Sequence, residues 1–213
     1  MNTNPNAKRV LFYGDSYIFG KVPGGARFQA DERFTGIVQK ELGQDFEIIE
    51  EGLRGRTASG ENTFFPHRNG IAQFGPILGS HLPIDLLVIF IGTNDINSGS
   101  HKTTSEIAEV FGEYKNLITW WCQHLDFPEP FVILVSPPII EEEKSYSIFK
   151  DIFKGAGEKS NSFAKDYEAI AKKCGWRYFD SAQFVSPSDI DGIHLDKNSN
   201  KILGQELAKF LRT

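Results

Sequence analysis

The chain has 213 residues, 40% of them hydrophobic and 24% charged, with a formal net charge of −5. That usage excludes a disordered or collagen-like chain, and the length suits one domain with a sizeable core. No stripe of Lys and Arg is present to neutralise a nucleic-acid backbone. The longest apolar run, Leu86 to Ile91, is far shorter than the roughly 20 residues of a membrane span.

The N-terminal residues, Met1 to Lys8, are polar and lack the apolar stretch of a signal peptide, so a cytoplasmic location is expected. Lys8 to Tyr13 (KRVLFY) predicts a buried strand that stops at Gly14. Glu32 to Leu42 predicts a helix, with Phe34, Ile37, Val38 and Leu42 at helical spacing and Gly43 as the stop. Phe46 to Glu50 (FEIIE) predicts a second strand, and Gly70 to Leu82 a weaker helix. Asp85 to Ile91 is apolar almost throughout, as a central parallel strand covered on both faces should be.

Thr103-Thr104-Ser105-Glu106 fits a capping box, which predicts a helix from there to His124. Phe131 to Val135 predicts the fourth strand, ended by Pro137-Pro138. Glu141 to Gly157 is irregular, and Lys159 to Lys173 predicts a further helix ended by Gly175. Arg177 to Asp180 predicts the fifth strand. Asp196 can cap a last helix carrying Ile202, Leu203, Leu207, Phe210 and Leu211. The two cysteines, Cys122 and Cys174, fall in helical stretches without CxxC or metal-ligand spacing, and read as reduced, buried thiols.

Strands thus alternate with helices from end to end, which implies an α/β fold: a five-stranded parallel sheet with helices on both faces, in one domain over residues 1–213. In such sheets the ligand crevice lies outside the C-terminal ends of the strands. The common doubly wound order 2-1-3-4-5 makes the first three strands neighbours.

The loops after the strands carry the candidate chemistry. They are Gly14-Asp15-Ser16, Gly52-Leu53-Arg54-Gly55-Arg56, Gly92-Thr93-Asn94-Asp95 and Asp191-Gly192-Ile193-His194. A serine hydroxyl needs an adjacent base, which His194 can supply to Ser16. Asp191, three residues before His194, can hold the imidazole in the tautomer that accepts the proton. The Ser16 N–H, the Gly55 N–H and the Asn94 amide can serve a tetrahedral oxyanion. Each loop also has a plain reading when taken alone. Gly-Asp-Ser suits a tight turn, Asn94-Asp95 a helix cap, and Asp191 to His194 a surface loop. Their conjunction, each after its own strand, favours acyl transfer. Walker A, GxGxxG and GxSxG are all absent. Lys21, Arg54 and Arg56 could bind an anionic group or simply be solvated surface.

These four blocks resemble those of the SGNH hydrolases, also called GDSL-type esterases, over essentially the full length. Further stretches are similar to the bacterial arylesterase and acyltransferase subgroup: Arg33 to Gly36, Ile49 to Leu53, Asn69-Gly70, His81 to Leu86 and Val135 to Pro138. The resemblance implies a flavodoxin-like three-layer sandwich, no cofactor, no metal, and a large homo-oligomer. It implies a triad of Ser16, His194 and Asp191, and an oxyanion hole of Ser16, Gly55 and Asn94. Loop position and resemblance together suggest Tyr17, Phe149, Phe153 and Ile193 as substrate-binding residues. The chain departs from the subgroup at Phe19 and Lys21, where two tryptophans are usual, and at Arg54 and Gly55, where a serine and an alanine are usual.

The expected activity is hydrolysis of short-acyl esters, with a small-molecule ester as the partner and no nucleic acid. The alternatives are an acyltransferase or perhydrolase with a non-water acceptor, and a non-catalytic ligand-binding module of the same fold.

Overall fold

Continuous apolar runs build a sheet whose centre is buried on both faces. In the computed structural model, which describes residues 2–144 and 149–212, five parallel strands lie in the order β2-β1-β3-β4-β5. They are β1 (Lys8–Gly14), β2 (Phe46–Gly52), β3 (Leu86–Phe90), β4 (Phe131–Ser136) and β5 (Arg177–Asp180). The register pairs Gly14 with both Gly52 and Phe90, so the first three strands end level with one another. Every residue of the central β3 is buried, whereas every residue of the edge strand β2 is only half-buried.

Successive residues of a strand point to opposite faces, and the two cores follow that period. Leu11, Tyr13, Leu87, Ile89, Val132 and Leu134 face one side. There they meet α3 (Gly70–His81), α4 (Thr104–Glu109), α5 (Phe111–Leu125) and α8 (Phe163–Cys174) through residues such as Phe74, Ile107, Phe111 and Tyr167. Val10, Phe12, Val88, Phe90, Ile133 and Val135 face the other side. They are covered by α1 (Ser16–Phe19), α2 (Phe34–Leu42) and α9 (Lys197–Arg212) through Ile18, Phe34, Val38, Leu203 and Leu207. The result is the three-layer, flavodoxin-like arrangement expected from the sequence. Among the described residues no helix is long and apolar enough to cross a membrane.

Several boundaries differ from the sequence reading. The helix expected from Thr103 to His124 opens with its capping box but is interrupted at Val110. There the N–H turns to the Ile107 carbonyl, 3.3 Å away, a three-residue step that tightens the ladder. The helix expected from Lys159 begins instead at Phe163, after a turn closed by Ser162 N–H on Lys159 O. The stretch read as irregular holds α6 (Phe149–Ile152) and the start of α7 (Ala156–Ser160), and its residues 145–148 lie outside those described. The one-turn α1 was not expected, being too short to show a period. Both cysteines are buried and free.

Candidate active site

The site begins where β1 stops. A Cβ on Gly14 would sit 2.0 Å from the Phe90 carbonyl oxygen, so only glycine lets the ends of β1 and β3 come together here. The chain then turns straight into α1. Asp15 caps that turn, its Oδ1 accepting the Tyr17 N–H at 3.1 Å. Ser16 is the first residue of the helix, where a backbone N–H has no partner within the helix. Its side chain is almost fully buried at the floor of a cleft.

The loop after β5 returns to the same place. Asp191 Oδ1 accepts the backbone N–H groups of Ile193 and His194 at 3.1 and 2.9 Å, which folds the loop over its own carboxylate. Gly192 takes φ 66°, and a Cβ there would lie 2.0 Å from the Glu141 carbonyl oxygen. Asp191 Oδ2 then stands 2.8 Å from His194 Nδ1, and His194 Nε2 stands 3.1 Å from Ser16 Oγ. Burial pushes the Asp191 carboxyl up. The hydrogen bond and charge of His194, with the two backbone N–H groups, outweigh that and hold it below its ordinary value. An ionised carboxylate only accepts, so Nδ1 carries the hydrogen and Nε2 is left to accept from the serine.

The loops after β2 and β3 complete the floor. Gly55 adopts φ 77°, and Asn94 is buried. Asn94 Nδ2 donates to the Arg56 carbonyl at 3.1 Å and, more weakly, to Asp15 Oδ2 at 3.4 Å. Asp95, next in the chain, accepts the N–H groups of Ala58 and Ser59 at 2.7 and 3.3 Å, so it braces the segment that follows Gly55.

Ser16, Gly55, Asn94 and His194 all line one cleft of about 420 Å³. Phe149, Phe153 and Ile193 line it too, as the sequence suggested, and the Phe149 ring stands edge-on to His194 with centroids 5.5 Å apart. Tyr17 does not line it. Its ring stacks on Phe90 at 4.9 Å, and its hydroxyl donates to the Ile193 carbonyl at 2.6 Å. Tyr17 points inward because α1 turns its second residue toward the sheet, and there it ties the β5 loop to the serine turn.

The other candidates also separate. Arg56 is buried, with Nη1 donating to the Gly14 and Glu51 carbonyls at 2.8 and 2.5 Å and its guanidinium stacked on Tyr13. It clamps the ends of β1 and β2 and cannot meet a ligand. Lys21 is buried with its Nζ donating to the Val22 and Gly25 carbonyls. Burial lowers its pKa, Arg54 pushes the same way, and Asp191 opposes them. Arg54 itself is exposed at the cleft. Phe19, Leu53 and Thr93, which lie in or beside the loops singled out from sequence but had no role assigned, also line the cleft, as do Phe65 and Arg68, which were not found from sequence. The one available signal was the Phe64-Phe65 pair in an otherwise polar loop.

Residues 12–201 match the GDSL-like lipase/acylhydrolase family. No curated protein matches the chain. Among solved structures, the M. smegmatis aryl esterase is 36% identical with a TM-score of 0.90, covering 97% of this chain and 99% of that one. Est24, a carbohydrate acetylesterase from Sinorhizobium meliloti, is 33% identical with a TM-score of 0.89, covering 96% and 98%. A member of the lipolytic G-D-S-L family from Veillonella parvula shares the fold, with a TM-score of 0.68 at 12% identity, covering 97% and 100%.

Proposed function

We propose, from the premise that the chain belongs to the GDSL-like lipase/acylhydrolase family, that it cleaves short-acyl carboxylic esters through an acyl-enzyme on Ser16. The chain is a serine esterase. The observation that carries the assignment of roles is the run of contacts from Ser16 Oγ to His194 Nε2 and from His194 Nδ1 to Asp191 Oδ2, at 3.1 and 2.8 Å, on the floor of the cleft.

Ser16 Oγ attacks the ester carbonyl while His194 Nε2 takes its proton. Asp191 stabilises the imidazolium that forms. The oxygen that becomes negative accepts from the Ser16 and Gly55 N–H groups and from Asn94 Nδ2, and one such donor typically lowers the barrier by about 3 kcal/mol. The 3.4 Å bond from Asn94 to Asp15 is the weaker of its two, and it is the one the oxyanion replaces. Collapse of the tetrahedral adduct breaks the bond to the alcohol, which leaves with the proton from His194. Water then attacks the acyl-enzyme with His194 again as base, and the acid leaves with Ser16 restored.

Leu53, Phe65, Phe149, Phe153 and Ile193 surround the acyl group, and a cleft of about 420 Å³ suits a short one. Assembly of several copies belongs to the same reading and is supported by the large apolar side chains on the surface, such as Trp120 (52% exposed) and Phe131 (77%). A monomer mass by sedimentation would overturn that part. The chemistry is tested by nitrophenol release from para-nitrophenyl acetate. Ser16→Ala should abolish it, and full rate in that variant would refute the nucleophile.

A further inference from the structure

The cleft is charged against the trend of the chain. The whole sequence holds 28 Asp and Glu against 23 Lys and Arg. Yet the described residues lining the cleft include two arginines, Arg54 and Arg68, and no carboxylate. Elsewhere the arginines near the sheet are paired: Arg9 with Glu47, and Arg27 and Arg33 both with Glu50. The Arg54 guanidinium makes no hydrogen bond or ion pair with any described residue. Arg68 donates from Nε to the Arg54 carbonyl at 2.8 Å, and from Nη1 to the Pro66 and His67 carbonyls at 3.1 and 3.2 Å. These bonds fix the fork of Arg68, and no carboxylate among the described residues forms an ion pair with it. The nearby Glu61 meets the Arg68 backbone N–H, not the guanidinium.

Arg54 immediately precedes Gly55, and both line the cleft that holds Ser16. A low-dielectric cleft rimmed by one sign of charge concentrates ligands of the other sign. A guanidinium is the side chain best shaped to receive a carboxylate, phosphate or sulfate with two parallel hydrogen bonds. Two such forks line one cleft, and neither is paired with a carboxylate among the described residues.

We propose that Arg54 and Arg68 are specificity-determining residues, and that the substrates are esters carrying an anionic group away from the scissile bond. The anion sits at the arginines while the ester carbonyl lies over Ser16. This rests on the esterase reading above and names the substrate class for it.

The test compares kcat/KM within two pairs of esters. In one the charge is on the acyl side: para-nitrophenyl hydrogen glutarate against para-nitrophenyl hexanoate, corrected for spontaneous hydrolysis. In the other it is on the alcohol side: carboxyphenyl acetate against phenyl acetate. At low ionic strength at least one anionic ester should exceed its neutral partner by about fivefold or more, the size an exposed ion pair allows. Whichever pair shows the gap identifies the end of the ester that bears the charge. Raising salt to about 0.5 M should close the gap, since it screens exposed charges beyond a few ångströms. Arg54→Gln should bring the ratio close to one, whereas Arg54→Lys should keep part of it.

A smaller ratio in both pairs, or a ratio that salt and Arg54→Gln leave in place, overturns the proposal. Turnover of the neutral esters without an anionic advantage overturns this assignment alone. Failure to cleave any of the four esters overturns the esterase reading itself.

Discussion

Asp15 and Asp191 lie on two loops at opposite ends of the chain, one beside Ser16 in sequence and the other reaching it through His194. Both are almost fully buried, and burial pushes both carboxyls up. They end on opposite sides of the ordinary value. At Asp191 the hydrogen bond and charge of His194 and two backbone N–H groups win, and the carboxyl is held low. At Asp15 burial is opposed chiefly by the Tyr17 N–H and by the charge of Arg56, while the Asp95 carboxylate adds to it, and the carboxyl rises from 3.8 to about 7. Asp95 behaves like Asp15, rising to about 6 with Lys102 no closer than 3.8 Å. Burial therefore does not decide the charge of a carboxyl at this site. The hydrogen bond from His194, added to those of two backbone N–H groups, decides it at Asp191. The β5 loop holds its carboxylate ionised for chemistry, and the β1 loop holds a carboxyl that takes up a proton far more readily and serves structure.

The largest expected effects lie on the ionised side. Ser16→Ala and His194→Ala should each lower kcat for para-nitrophenyl acetate by about 10⁴-fold or more. Asp191→Asn should cost about 10³-fold to 10⁴-fold, because an amide facing Nδ1 can donate and favours the wrong tautomer. The same change at Asp15 should cost only about tenfold, through the Tyr17 cap and the bond to Asn94. Equal losses in the two Asp→Asn variants would show that Asp15 and Asp191 do not divide structure from chemistry.

Stability against pH sharpens it further. A carboxyl raised in the folded state binds more protons there than when unfolded, so stability falls as pH rises from about 4 toward 7. Asp15 contributes such a loss, of a few kcal/mol at most. Thermal melts at about pH 5 and pH 8 should show a smaller drop for Asp15→Asn than for the parent. Asp191 has the opposite sign. Its contribution is complete above the ordinary aspartate range and is lost as pH falls through its lowered folded value. Smallest of all, replacing His67, His81, His101 or His124 with Ala should change the rate by less than about twofold, since none of them lines the cleft.

The strands were legible because burial of both sheet faces leaves apolar runs such as Leu86 to Ile91. The catalytic candidates were legible because each sits at the end of a strand, where glycine and short polar residues stand out. What was not legible depends on contacts distant in sequence. Tyr17 faces inward because a single helical turn sets its direction, and a single turn leaves no periodic trace. Arg56 and Lys21 look like surface cations until the carbonyls that cover them are known. Phe65 and Arg68 come from a loop whose path is set by Asn62, which donates to the Gly55 carbonyl at 2.8 Å and accepts from Phe64 N–H at 2.8 Å. No spacing rule announces such a path. The break at Val110 depends on a single tightened hydrogen bond inside a stretch whose apolar period continues.

The central claim, an activated serine at residue 16, is tested most directly by treating the intact protein with a fluorophosphonate and locating the adduct by peptide mass spectrometry. One phosphonylated site is expected, on Ser16, and it should disappear in His194→Ala. An adduct on another residue with Ser16 unmodified, or labelling of Ser16 that persists undiminished without His194, would contradict it.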